Sequence, residues 1–269
     1  MTVIDSHTHV YPDAIALKAS QSTGRFYDIE MSHDGRVETL LGRMDEAGVD
    51  RAVLLPVPTT PRQVDSVNRF VKETVQAHPD RFIGFGGVHP HSEQLERDVE
   101  MVLSGGFCGI KLHPEIQQVS IVDEGCSRLF ELVEGRLPVY IHAGDPRYHC
   151  SNPDQVVKVL DRFPRLTLVC AHLGGWSEWN YVGDYLAERG VWVDTSSALY
   201  AITPQHAYGL IKRYGCDRVF FGSDYPMWDP ADELSAVRAL GLTGEELEDV
   251  LHRNIERFLK AFAPKGGLW

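Results

Sequence analysis

Met1-Thr-Val-Ile-Asp-Ser-His-Thr-His-Val10 opens the chain with a short apolar run, Val3-Ile4, that ends in two histidines at i and i+2. On a β-strand that spacing turns both imidazoles to one side. Two imidazoles converging at a strand end suit a divalent metal such as zinc. A single His-x-His is a weak signal. Its weight here comes from the way the same pattern returns downstream.

Runs rich in Val, Ile and Leu recur over Thr2–Asp5, Arg51–Leu55, Phe82–Val88, Phe107–Leu112, Pro138–His142, Leu166–Ala171, Val191–Asp194 and Arg218–Gly222. Most are continuous apolar stretches such as Val139-Tyr-Ile141, as expected for parallel strands buried on both faces. Between them the apolar period lengthens to that of helices, with predicted segments Val37–Ala47, Val64–Ala77, Glu93–Leu103, Cys126–Val133, Asp154–Phe163, Glu178–Glu188, Pro204–Tyr214 and Glu245–Phe262. Ser92, Asn152-Pro153 and Thr203-Pro204 read as helix starts, and Gly48, Gly105 and Gly215 as helix ends. Eight strands, each followed by a helix, in this length predict an α/β fold, a (β/α)8 TIM barrel. No linker or composition break appears, so residues 1–269 are read as one domain. Pro12–Gly35 is an extended loop inserted after strand 1, at the mouth where a lid would lie. An open doubly wound sheet is disfavoured, because no Gly-x-Gly-x-x-Gly follows any strand.

The 269 residues are 43% hydrophobic and 24% charged, enough apolar material for one large core. Lys and Arg number 26 against 38 Asp and Glu, a net charge of −12. With no basic run, neither nucleic acid nor an anionic membrane is an expected partner. No apolar run is long enough to span a bilayer, and no basic-then-apolar leader is visible. The five cysteines are scattered without a Cys-x-x-Cys, so no disulfide framework is expected and a cytoplasmic location is the default. Cys108 and Cys170 read as small core residues.

Polar residues collect where the predicted strands end. These ends are Asp5-Ser-His7-Thr-His9, His89-Pro-His91, Lys111-Leu-His113-Pro-Glu115, His142-Ala-Gly-Asp145, His172-Leu-Gly-Gly175 and Gly222-Ser-Asp224-Tyr-Pro226. In a barrel they all face one mouth, where barrel enzymes keep their sites. One such histidine would be read as structural. Five strand ends carrying histidine, with an aspartate on the eighth, predict a metal site.

These residues, in this order, resemble the amidohydrolase superfamily. More narrowly they resemble its amidohydrolase-related branch of metal-dependent TIM-barrel hydrolases and aminocarboxymuconate-semialdehyde-type decarboxylases. The blocks that carry the resemblance are His7-x-His9, Ile110-Lys-Leu-His-Pro114, Ile141-His-Ala-Gly144, Ala171-His-Leu-Gly-Gly175, Phe221-Gly-Ser-Asp-Tyr-Pro226 and the closing His252-Arg-Asn254 segment. The resemblance implies that His7, His9, His142 and Asp224 bind a divalent metal, with zinc expected. It also implies that Asp224 and His172 are catalytic, Asp224 as proton acceptor and His172 as a second ligand or as general acid and base. One metal per chain is favoured, with two as the alternative.

Other candidates are open. Lys111 is a substrate-carboxylate site, a carbamylated metal bridge or a structural ion pair. His113 and His89 line the mouth or are structural. Arg147 and Tyr148 hold a substrate anion or lie in a solvated loop. Trp176, Trp179 and Trp228 wall an apolar pocket or pack the core. His33, His78, His206 and His252 read as structural or surface residues. The leading expectation is a metal-dependent hydrolase acting on an amide, ester or lactone of a small organic acid. The alternative is a metal-dependent non-oxidative decarboxylase, a lyase acting on an unsaturated or aromatic acid. A non-catalytic scaffold would need a broken ligand set, and no ligand is missing. The expected partner is a small-molecule substrate, and a homodimer is left open.

Overall fold

In the computed structural model, which describes residues 1–269, the eight apolar runs form eight parallel strands. They are β1 (Ile4–Thr8), β2 (Arg51–Leu54), β3 (Phe82–Gly84, resumed as Gly86–Gly87), β4 (Ile110–Leu112), β5 (Val139–Ile141), β6 (Leu168–Cys170), β7 (Trp192–Asp194) and β8 (Val219–Phe220). The first half of β3 pairs with β2 and the second with β4, so the strand switches neighbours at Phe85. Beyond the end of β8 the chain pairs back on β1 through Ser6 N–H to the Phe221 carbonyl (2.8 Å) and a parallel bridge between Thr8 and Tyr225. The sheet is thereby closed into a barrel.

The two-residue period of a strand sorts the core. Ile4, Val53, Phe85, Tyr140, Val169 and Phe220 point inward and form one cluster, closed at one end by Ile255, Phe258 and Leu259 of the Asn254–Phe262 helix. Their strand neighbours, such as Val139 and Ile141 on either side of Tyr140, face outward and pack under the surrounding helices. Cys108 and Cys170 are buried with free thiols. No helix is long and apolar enough to cross a membrane.

Four local readings are corrected. The stretch after β1 is not a plain loop but carries a helix, Ala16–Tyr27. Its buried stripe is Ala16, Ser20, Gly24 and Tyr27, mostly small residues that give no apolar signal. A helix at Pro230–Arg238 also went unforeseen, because half of its buried face is Pro230 and Glu233. The predicted Glu245–Phe262 helix is divided by a wide turn at Asp249–Arg253, and the predicted Glu178–Glu188 helix shrinks to Val182–Leu186.

Candidate metal and active site

The barrel mouth is assembled by strand ends. His7 lies on β1 itself, and His9 just beyond it. Gly222 gives His7 its place, since a Cβ there would lie 2.9 Å from the His7 Cβ. Gly144, at φ +77°, does the same for the loops after β5 and β6. Any side chain at Gly144 would meet the backbone of Gly175 and Trp176 at 2.6 Å, so only glycine lets His142 and His172 approach. His172, Ser197 and Asp224 all hold left-handed backbone, with φ of 60°, 47° and 61°. Residues with side chains adopt that region at a cost, and such residues gather at functional sites.

Hydrogen-bond partners fix the tautomers. His7 Nδ1 donates to Asp194 Oδ2 (2.8 Å) and His9 Nδ1 to the Leu55 carbonyl (2.6 Å). Both Nε2 atoms are therefore bare lone pairs, and they stand 3.2 Å apart. Asp224 Oδ1 lies 3.5 Å from the first and 3.4 Å from the second. Three acceptors thus converge on one point. Bonds of about 2.1 Å in a tetrahedral site separate neighbouring ligand atoms by about 3.4 Å, so the spacing fits a divalent cation. The other cation nearby is Lys111, fully buried, with its Nζ 3.2 Å from His7 Nε2 and over the face of Tyr140.

His142 does not join this trio. Its ring stacks on His113, with centroids 4.2 Å apart. His172 Nδ1 donates to the Ser196 carbonyl (3.0 Å), which leaves its Nε2 to accept from His142 Nδ1 (2.9 Å). His142 Nε2 then accepts from the Tyr27 hydroxyl (3.4 Å), whose oxygen takes the His113 Nε2 proton (2.8 Å). The four residues form one chain of hydrogen bonds with a single direction.

Burial governs the charges. Desolvation pushes the His7 imidazole down to about 3 and places His113, His142 and His172 below the ordinary imidazole range. It also pushes Lys111 down to about 8. Burial would raise Asp194 and Asp224 as well, but the imidazoles around them outweigh it and hold both carboxyls below the usual range. The site therefore offers a neutral His7 imidazole and an ionised Asp224 carboxylate, the forms in which these groups ligate metals.

The remaining candidates divide. Trp176 and His113 line the cavity. Arg147 does not face it. Its Nε and Nη2 grip buried Asp145 at 2.9 and 2.7 Å, Nη1 donates to the Phe26 carbonyl (2.8 Å), and the guanidinium lies against Phe26, Tyr27, Tyr148 and Trp176. Trp228 reaches the site only indirectly, donating to Ser197 Oγ (2.8 Å), which donates to Asp224. Trp179 Nε1 donates to the His172 carbonyl (2.8 Å). His89 is buried, and His91 pairs with Asp123 at 2.9 Å.

Four residues that shape the site were not foreseen: Asp194, Ser196, Ser197 and Tyr27. Asp194 ends β7 and accepts from His7, Ser196, Tyr140 and the His172 backbone. Its signal was available, since Asp194-Thr-Ser-Ser197 is one more polar strand end. Tyr27 gave none, because it rides on the helix the pattern hid.

The matched family model is described as amidohydrolase and covers residues 4–261. The chain belongs to the amidohydrolase family. No curated protein matches the chain in sequence. Among solved structures it resembles 5-carboxyvanillate decarboxylase from Sphingomonas paucimobilis, at 19% identity and a TM-score of 0.73 over 96% of this chain and 99% of that one. It also resembles a dihydroxybenzoic acid decarboxylase from Polaromonas sp. JS666, with bound manganese and the inhibitor 2-nitroresorcinol, at 16% identity and 0.72 over 96% and 97%. An uncharacterized Tim-barrel protein from Bordetella bronchiseptica matches at 19% identity and 0.78 over 97% and 99%. At these identities the likeness is one of fold, the (β/α)8 barrel.

Proposed function

We propose that this amidohydrolase family member is a divalent-metal-dependent decarboxylase of an unsaturated or aromatic carboxylic acid. One observation carries the reading: the trio His7, His9 and Asp224, with the buried ammonium of Lys111, forms the polar floor of a largely apolar cavity of about 600 Å³. The floor pairs a carboxylate with a cation, and the apolar walls suit the unsaturated or aromatic body that stays behind when CO2 leaves. His7, His9 and Asp224 would hold one metal per chain. When bound, that metal supplies Lewis-acid stabilisation of negative charge on a substrate oxygen. Imidazole donors suit zinc, the metal expected from the sequence, and the carboxylate also admits manganese. Lys111 binds the acid through its Nζ. As the C–C bond breaks, its electron pair stays on the ring or alkene carbon, which must take up a proton. His172, whose Nδ1 proton is held by the Ser196 carbonyl, would take up a proton from solvent at its Nε2 lone pair and deliver it to that carbon.

This order reverses the expectation from sequence, where hydrolysis stood first. The likeness in fold to aromatic-acid decarboxylases supports the reversal. Hydrolysis of an amide, ester or lactone remains a second reading, and Lys111 favours it. With burial drawing its pKa to about 8, part of the amine is neutral near pH 7 and open to carbamylation, which would bridge two metals. The test is to incubate protein loaded with zinc or manganese with hydroxybenzoates and muconate-type acids, and separately with lactones, amides and esters. CO2 release from an acid without release of acid from the others is the expected result. Acid release without CO2 would replace this reading with hydrolysis.

A further inference from the structure

The cavity is too long for the small acid that its floor can hold. It holds about 600 Å³, whereas a cavity of about 150 Å³ already accepts a benzene ring. Its shape follows from the Ala16–Tyr27 helix. Ile15, Lys18, Ala19, Ser22, Thr23 and Phe26 all line it, one stripe at helical spacing along the whole element. Ile15 to Phe26 is eleven helical steps, or about 16 Å. A single-ring acid spans less than half of that.

The stripe also has a direction. Ile15, Lys18 and Ser22 are exposed, Ala19, Thr23 and Phe26 half-buried, and Tyr27 buried on the imidazoles of the floor. A second wall is the Val64–Ala77 helix, where Ser66 is exposed, Val67 and Phe70 are half-buried and Val71 is buried. The middle of the first wall is built from Ala19, Ser22 and Thr23, which leave space, and the second wall presents Val67 and Phe70. Ile15, half exposed at the opening, gives the rim an apolar edge.

We propose that the two helices form a channel for an extended apolar arm of the substrate, so that the enzyme takes an acid with a linear alkyl or alkenyl substituent several carbons long. The acid head group rests on the reading under Proposed function. The channel does not, because it is argued from the walls alone.

The test is equilibrium binding by calorimetry, on protein as purified with its metal content measured. One probe series is 4-alkylbenzoates from methyl to octyl, and the other 4-alkylphenols of the same lengths. Affinity is expected to rise about threefold to fourfold per methylene, the transfer value of a buried CH2, and then to level off. A gain in the phenols alone keeps the channel and overturns the acid head. Affinity that stays flat or falls beyond ethyl in both series overturns the channel. Ala19→Trp and Val67→Trp fill it from its two helical walls, and thermal unfolding shows which of them is folded. In a folded variant the gain should stop at shorter chains, and a length dependence identical to wild type would overturn the proposal.

Discussion

His7 Nε2 and His9 Nε2 stand 3.2 Å apart, and neither has a proton to give the other. Asp194 and the Leu55 carbonyl have claimed both Nδ1 protons. Two facing lone pairs with a carboxylate beside them repel, and the Lys111 ammonium reaches only the His7 one (3.2 Å), so metal should stabilise this fold by mass action. Thermal unfolding should shift upward with added zinc or manganese, and metal analysis after dialysis should return one equivalent. Asp224→Asn removes the charged member of the trio. It should fold, lose the metal-dependent shift and lose far more than tenfold in turnover. Activity within tenfold, about 1.4 kcal/mol, would be too small a loss for the charged ligand of a metal the reaction needs.

Asp194 should matter nearly as much without lining the cavity. Its carboxylate holds His7 in the tautomer that presents Nε2, and also takes the Tyr140 hydroxyl and the His172 backbone N–H. Partners of this kind typically contribute 10- to 100-fold to metal affinity. Asp194→Asn should cost about that much in a competition titration with a chelator. A metal affinity unchanged within threefold would show that the His7 tautomer does not depend on Asp194.

What the sequence made legible follows from where the physics is local. Eight apolar runs announce eight buried parallel strands, and a polar residue just past an apolar run announces a mouth, which is why His7, His9, His113, His142, His172 and Asp224 were found. Asp194 also ends an apolar run, but its strand end carries no histidine, and the bond to His7 that gives it its task appears only in the fold. The Ala16–Tyr27 helix was hidden because its buried side is Ala, Ser and Gly, whose value lies in the room they leave. Arg147 looked like an anion site, and only the fold shows that its guanidinium is already taken by Asp145.

Arg147 should therefore act on the helix and not on an anion. It ties the loop after β5 to the Phe26 carbonyl and to four aromatic rings, and so seats Tyr27. Arg147→Gln keeps a polar side chain but loses the fork and the cation. Amide exchange across residues 16–27 should speed up by about tenfold or more while the barrel strands keep their protection. Unchanged exchange there, with a loss of carboxylate affinity, would return Arg147 to the role of anion site.

Glu233 carries a stability effect that depends on pH. It is buried on the Pro230–Arg238 helix, its Oε2 has no partner, and burial together with Asp224 and Asp5 pushes its pKa up to about 8. The unfolded chain releases this proton near 4.5, so between about pH 4.5 and 8 the folded state holds more protons than the unfolded one. Stability from this group is thus complete below pH 4.5 and is lost as pH rises. Glu233→Gln removes the loss. Its Tm should match wild type near pH 4.5 and exceed it near pH 8.5 by roughly 10 °C, at about 1.4 kcal/mol per pKa unit and about 2–4 °C per kcal/mol. A variant that is less stable at both pH values would mean the carboxylate has a partner worth keeping.

Lys111 decides how the floor reads charge. Its Nζ is fully buried, 3.2 Å from His7 Nε2 and 5.1 Å above the centre of the Tyr140 ring. As an ammonium it has three donors and no lone pair, so it can hold a carboxylate but cannot bridge metals. As a carbamate it would do the reverse. The two states separate in one set of measurements on wild type and Lys111→Met, a swap that keeps most of the buried volume. If the ammonium is the working form, the variant keeps one equivalent of metal and binds benzoate about 100-fold more weakly, since truncating one partner of a buried charged pair costs about 2–5 kcal/mol. Protein prepared with bicarbonate and excess zinc should likewise hold one equivalent. If it holds two, and the variant only one, the carbamate is the working form and hydrolysis displaces decarboxylation.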